Sequence, residues 1–314
     1  MRVIQLGMNT SDLPATLRLF SEAFGFTNAG GQALWGLSLR VQGLDERGRA
    51  LIWWMVGREP GFQFEFFHHT RPAQRPLRAD WRPNDLGCVR FGVAVADFDA
   101  TLRGLHDNGI APLAQPVTID GLRRVSFREP YIGAVIEIME DGPALPWRPD
   151  AAGNEPFLVY AATSVADLQA AEHHYRDTLE MVIEPIERLH APEHEAAWGL
   201  AGARRRGFLA HRGGVRSEVV EYLEPRGRPK ADDYRTSDQG IVNFALGSRS
   251  TAEAEEVLGR LRDAGHVPGY TLRADNIVSA YITDFGYEVE VVALPSELDT
   301  ILGFRPSTPF LANL

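Results

Sequence analysis

Two stretches of the chain repeat one another. Trp35-Gly36-Leu37 returns as Trp198-Gly199-Leu200, and Phe64-Glu65-Phe66-Phe67 returns as Val220-Glu221-Tyr222-Leu223, with Arg71-Pro72 and Arg228-Pro229 behind them. Offsets of 156 to 163 residues through several motifs in the same order mark a duplication, so both halves must be built on one scaffold. Differences between equivalent positions then show where chemistry is kept or lost.

Each half divides again into a strand, a helix and further strands. Val3 to Asn9 alternates, with Leu6 and Met8 on one face and Gln5 and Gly7 on the other. Ser11 or Asp12 then caps a helix whose Leu13, Leu17, Phe20 and Phe24 share a side, and Gly25 ends it. The same order restarts at Asp85, at Leu158 and at Asp238, the last unit closing with Val289 to Val292 after a turn at Asp284 to Gly286. The expected division is a first paired-unit domain over residues 1–142, a proline-containing linker over 143–155, a second paired-unit domain over 156–294 and a tail over 295–314.

With a net charge of −10 over 314 residues, the chain lacks the basic face that nucleic acid or an anionic membrane requires. Small molecules remain as partners, and a homo-oligomer is compatible. One cysteine, Cys88, and a start without a signal-type apolar run read as a reduced, cytoplasmic protein.

Four such units resemble the vicinal oxygen chelate superfamily. The resemblance rests on Ser11-Asp12-Leu13, Ala96-Asp97-Phe98 and Ala166-Asp167-Leu168 at the helix starts, and on closing strands holding Glu65, Glu137, Glu221 and Glu290. It implies an α+β fold of four βαβββ modules, paired into two domains with cupped mixed sheets and helices outside them. The length and the two paired domains are similar to extradiol ring-cleaving dioxygenases. In this family a divalent metal sits inside a cup, held by a first-strand residue, usually histidine, and by the closing-strand glutamate.

Counting back from the helix starts places Gln5, Arg90, Tyr160 and Asn243 at the first-strand positions, and none is histidine. Pairing consecutive units puts Gln5, Glu65, Arg90 and Glu137 in a first cup. There an arginine would repel a metal and form an ion pair with Glu65 or Glu137. The second cup then holds Tyr160, Glu221, Asn243 and Glu290. Two carboxylates in one dry cavity push their pKa values apart, so Glu221 and Glu290 are the expected acid and base, Tyr160 a hydrogen-bond donor and Asn243 an orienting group. His211 and Leu223 are expected to line that cup, while His190 and His194 read as a solvated loop.

No cofactor is expected, apart from a divalent cation that the oxygen ligands Glu221 and Glu290 would allow. The leading function is therefore a lyase or isomerase moving protons on a small, apolar, aromatic and oxygenated compound in the second cup. A metal-dependent extradiol dioxygenase and a non-catalytic small-molecule binder are the alternatives.

Overall fold

In the computed structural model, which describes residues 1–284 and 287–307, the order strand, helix, three strands recurs four times. The first unit comprises β1 (Arg2–Asn9), α1 (Leu13–Arg18), β2 (Thr27–Leu34), a short α2 (Leu37–Val41), β3 (Arg49–Val56) and β4 (Gln63–Arg71). The second has β5 (Gly87–Val95), α3 (Phe98–Asp107), β6 (Val117–Ile119), β7 (Leu122–Arg128) and β8 (Val135–Glu140). The third has β9 (Phe157–Ser164), α4 (Leu168–His173), β10 (Val182–Pro185), β11 (Arg204–His211) and β12 (Arg216–Glu224). The fourth has β13 (Gly240–Ser248), α5 (Thr251–Asp263), β14 (Thr271–Ala274), β15 (Ile277–Asp284) and β16 (Tyr287–Ala293). Phe285 and Gly286 of the expected turn, and Phe310 of the tail, lie outside the described residues.

The main helices start at side-chain caps: Asp12 accepts from Ala15 N, Asp97 from Ala100 N, Asp167 from Ala170 N and Ser250 from Glu253 N. Apolar residues one turn apart then turn these helices onto the sheets. Phe20 packs on Phe66 at 4.8 Å and Phe64 meets Phe91 at 5.6 Å, so the helix-bearing faces of both sheets merge into one core. The opposite faces of the sheets form the cups.

Two eight-stranded mixed sheets result, ordered β14-β15-β16-β13-β1-β4-β3-β2 and β10-β11-β12-β9-β5-β8-β7-β6. The pairing expected from chain order is therefore corrected. The first unit joins the fourth through antiparallel β1 and β13, and the second joins the third through β5 and β9. The physical cause is a pair of crossing arms, 72–86 and 225–239, that carry the chain from one sheet to the other. Arg75 on the first arm pairs with Asp238, and Arg228 on the second pairs with Asp85. Segment 143–155 consequently connects two units of one sheet instead of separating two domains.

Candidate functional site

Strand register defines the equivalent inward positions. In each unit the closing-strand residue facing the cup is paired with the residue two after the first-strand position: Glu65 with Gly7, Glu137 with Gly92, Glu290 with Ala245, and Glu218 with Ala162. Glu221 is thus corrected. It lies on the opposite face of β12, where it accepts from Leu168 N and pairs with Arg206. Adjacent residues on a strand face opposite ways, so an alignment three residues off selects the wrong side.

The cup of the second and third units is filled. Arg90 pairs with Glu218 at 2.9 Å, donates to Tyr222 Oη at 3.0 Å and lies 3.8 Å from the Trp198 ring centre. This corrects its expected pairing with Glu65 or Glu137. Tyr160 donates to Glu137 at 2.7 Å, and His190 sits between Glu137 and Glu218 with both ring nitrogens at 2.9 Å. Both His190 and His194 are buried, so the solvated-loop reading is also corrected.

Burial alone would raise Glu137 and Glu218, but the charges of His190 and Arg124 hold the first well below the carboxylate range. Arg90 and His190 bring the second to about 2. Every one of these carboxylates is matched by a cation, which leaves a stabilising network rather than an open site. His211 and Leu223 lie elsewhere: His211 is 3.5 Å from Glu184 beside edge strand β10, and Leu223 is exposed.

The other sheet gathers Gln5, Glu65, Asn243 and Glu290 in a cup with a cavity of about 280 Å³. Its apolar wall includes Ile52, Trp54, Phe67, Tyr281 and Leu302. Ser279 Oγ donates to Glu290 Oε1 at 2.6 Å, and Trp54 Nε1 donates to Glu65 Oε1 at 3.1 Å. Among the described residues no Lys, Arg or His forms an ion pair with either carboxylate. Burial first, and then the charge of Glu290, hold Glu65 well above the carboxylate range; burial raises Glu290 to about 7 against hydrogen bonds from Ser279 and Asn243.

Asn243 directs Nδ2 toward Glu290 at 3.5 Å and leaves Oδ1 buried without a hydrogen-bond partner. A side chain on Gly7 would begin 2.1 Å from that oxygen and 3.5 Å from Glu65 Oε2. The absence of a Cβ there keeps both acceptor groups together. Trp54, Ser279 and Gln63, which the sequence reading missed, complete the cup, and alternation along β3, β15 and β4 is the signal that marks them.

The C-terminal segment closes one side. Leu302 lines the cavity, a side chain on Gly303 would begin 2.3 Å from Trp54, and Ser307 exchanges hydrogen bonds with Asn28 on β2. No protein-family model matches the sequence, and no curated protein matches it. Among solved structures, glyoxalase I from Zea mays is 15% identical with a TM-score of 0.60, the match covering 93% of this chain and 92% of that one. A Bacillus subtilis protein provisionally described as a dioxygenase is 12% identical with a TM-score of 0.61, covering 98% and 91% of the two chains.

Proposed function

We propose that this chain, which has the vicinal oxygen chelate fold, is a lyase- or isomerase-type enzyme whose proton-transfer centre is Glu65 and Glu290. The observation carrying this reading is the pair itself: two buried carboxylates raised in proton affinity beside an open cavity. Burial and the neighbouring Glu290 charge favour the protonated form of Glu65, while Glu290, near 7, can accept a proton. A small carbonyl compound with an apolar body would place its acidic C–H toward Glu290 and its oxygen toward Glu65. Glu290 takes the proton and Glu65 protonates the developing enolate oxygen; with an α-hydroxyl on the substrate the product is an enediol, and Glu290 then returns its proton to the former carbonyl carbon while the α-hydroxyl gives its proton to Glu65, which yields the isomer.

A second reading uses the same residues. Gln5, Glu65, Asn243 and Glu290 offer only oxygen donors, the set suited to Mg²⁺ or Mn²⁺, and the unpaired Asn243 Oδ1 fits it. Among the described residues no three His, Cys, Asp or Glu side chains gather as a metal site, so an ion here depends on the two amide oxygens. When bound, such an ion would supply Lewis acidity to a substrate oxygen. In both readings Ser279 and Trp54 fix the carboxylates and the apolar wall excludes water. Iron of the ring-cleaving kind needs two imidazoles and a carboxylate, a donor set these four positions do not provide.

Exchange of α-protons of phenylacetone into D₂O, followed by proton NMR, tests the proposal. The enzyme reading predicts faster exchange with the wild-type protein and its loss in Glu290→Gln. Saturable binding without exchange would favour a binder.

A further inference from the structure

We propose that a second cavity, between the two crossing arms, is a binding site for a small planar aromatic molecule. The arms are duplicates in detail. Arg75, Asp80, Trp81 and Asp85 on one recur in the same order as Arg228, Asp233, Tyr234 and Asp238 on the other, which makes Arg75-Pro76, and not the expected Arg71-Pro72, the equivalent of Arg228-Pro229. Each arginine grips the aspartates of the opposite arm, Arg75 holding Asp233 and Asp238 and Arg228 holding Asp80 and Asp85. The backbones answer the same symmetry: Leu86 N donates to Arg228 O at 2.8 Å and Gln239 N to Arg75 O at 2.9 Å.

Between them lies a cavity of about 270 Å³ lined by Leu77, Trp81, Cys88, Tyr234 and Ile241. This half-open space between two ion-paired clamps presents apolar and ring surface to solvent, and a ligand seated there would remove that surface from water. Its rim charges are already committed to one another, and Gln239 accepts from Leu77 N. A ligand entering the cavity would therefore gain mainly apolar and ring contacts. Trp81 and Tyr234 each carry a cation against the ring, Arg128 at 4.6 Å and Lys230 at 3.9 Å, which fixes the two aromatic walls. A volume at the small end for ligand pockets, with aromatic walls and an apolar floor, suits a one- or two-ring molecule.

Indole is the probe. Cys88, the chain's sole cysteine, reports occupancy through its alkylation by N-ethylmaleimide, while calorimetry of the full chain reports binding directly. Saturable one-to-one binding that slows Cys88 alkylation is expected. Trp81→Ala should weaken it about tenfold, Ala231→Trp at the exposed rim should abolish it, and Glu65→Gln in the distant cup should leave it unchanged. The proposal is overturned by absent saturable binding, by binding that leaves Cys88 unprotected or survives Ala231→Trp, or by binding that requires Glu65. It is also overturned if Cys88 becomes protected by protein concentration alone, because a second copy would then cover the cavity.

Discussion

Trp198 and Trp35 occupy the same place in a duplicated motif and have opposite surroundings. Trp198 is 1% exposed against Arg90, whereas Trp35 is 61% exposed. In the third unit the segment leading to this motif folds inward, delivering His190 and Trp198 to the cup. In the first unit β2 runs along the sheet edge, and the cup beside it stays open. Filling of one copy leaves Glu65 and Glu290 as the carboxylates with room for a ligand.

The filled cup should tolerate little change. Arg90→Met leaves Glu218 buried without its main counter-charge and is expected to cost about 3–5 kcal/mol in urea unfolding. His190→Ala should act in the same direction. Because Glu137 and Glu218 are depressed when folded, their contribution is present above the ordinary glutamate pKa and is lost as pH falls through the folded values.

The open cup should have the opposite pH dependence. Glu65 and Glu290 bind protons more tightly folded than unfolded, so their contribution to stability is full below about 4.5 and is lost as pH rises through the folded values, about 7 for Glu290. For Glu290 the effect is bounded at about 3 kcal/mol. Urea melts at pH 5 and pH 8.5 should show a smaller difference in Glu290→Gln than in the wild type.

Gly7→Ala tests the space that joins the two halves of the site. Its Cβ would collide with Asn243 Oδ1, which must shift from its place in the cup. Phenylacetone exchange should fall at least tenfold, and any Mn²⁺-induced rise in melting temperature should disappear, with the fold retained by circular dichroism. Unchanged exchange would place the reaction elsewhere.

Gly303→Ala should act through Trp54. Gly303 has φ of +74° and lies against the indole, so a Cβ displaces the ring that donates to Glu65. Loss of that hydrogen bond should raise the proton affinity of Glu65 further, seen as an upward shift of its carboxyl titration by carbon-13 NMR.

Much of this was legible in the sequence, for identifiable reasons. Gln5, Arg90, Tyr160 and Asn243 could be located because strand alternation and helix caps are local signals. Glu65, Glu137 and Glu290 followed for the same reason. Glu218 did not, because β12 offers two glutamates on opposite faces and motif alignment favoured Glu221. The partnership of the units depends on arms without periodicity, and only the recurrence of Arg75 and Asp85 as Arg228 and Asp238 hinted at the exchange. His190 belongs to an irregular segment whose burial is decided by distant Glu137 and Glu218, a relationship no short motif encodes.

The most direct test of the central claim is a carbon-13 titration of glutamate side-chain carboxyls in chelator-treated protein, with Glu65→Gln and Glu290→Gln for assignment. The account predicts that the pair titrates well above ordinary glutamates, with one step near 7 that is lost in Glu290→Gln. Titration of both carboxyls at or below about 4.5 would contradict it.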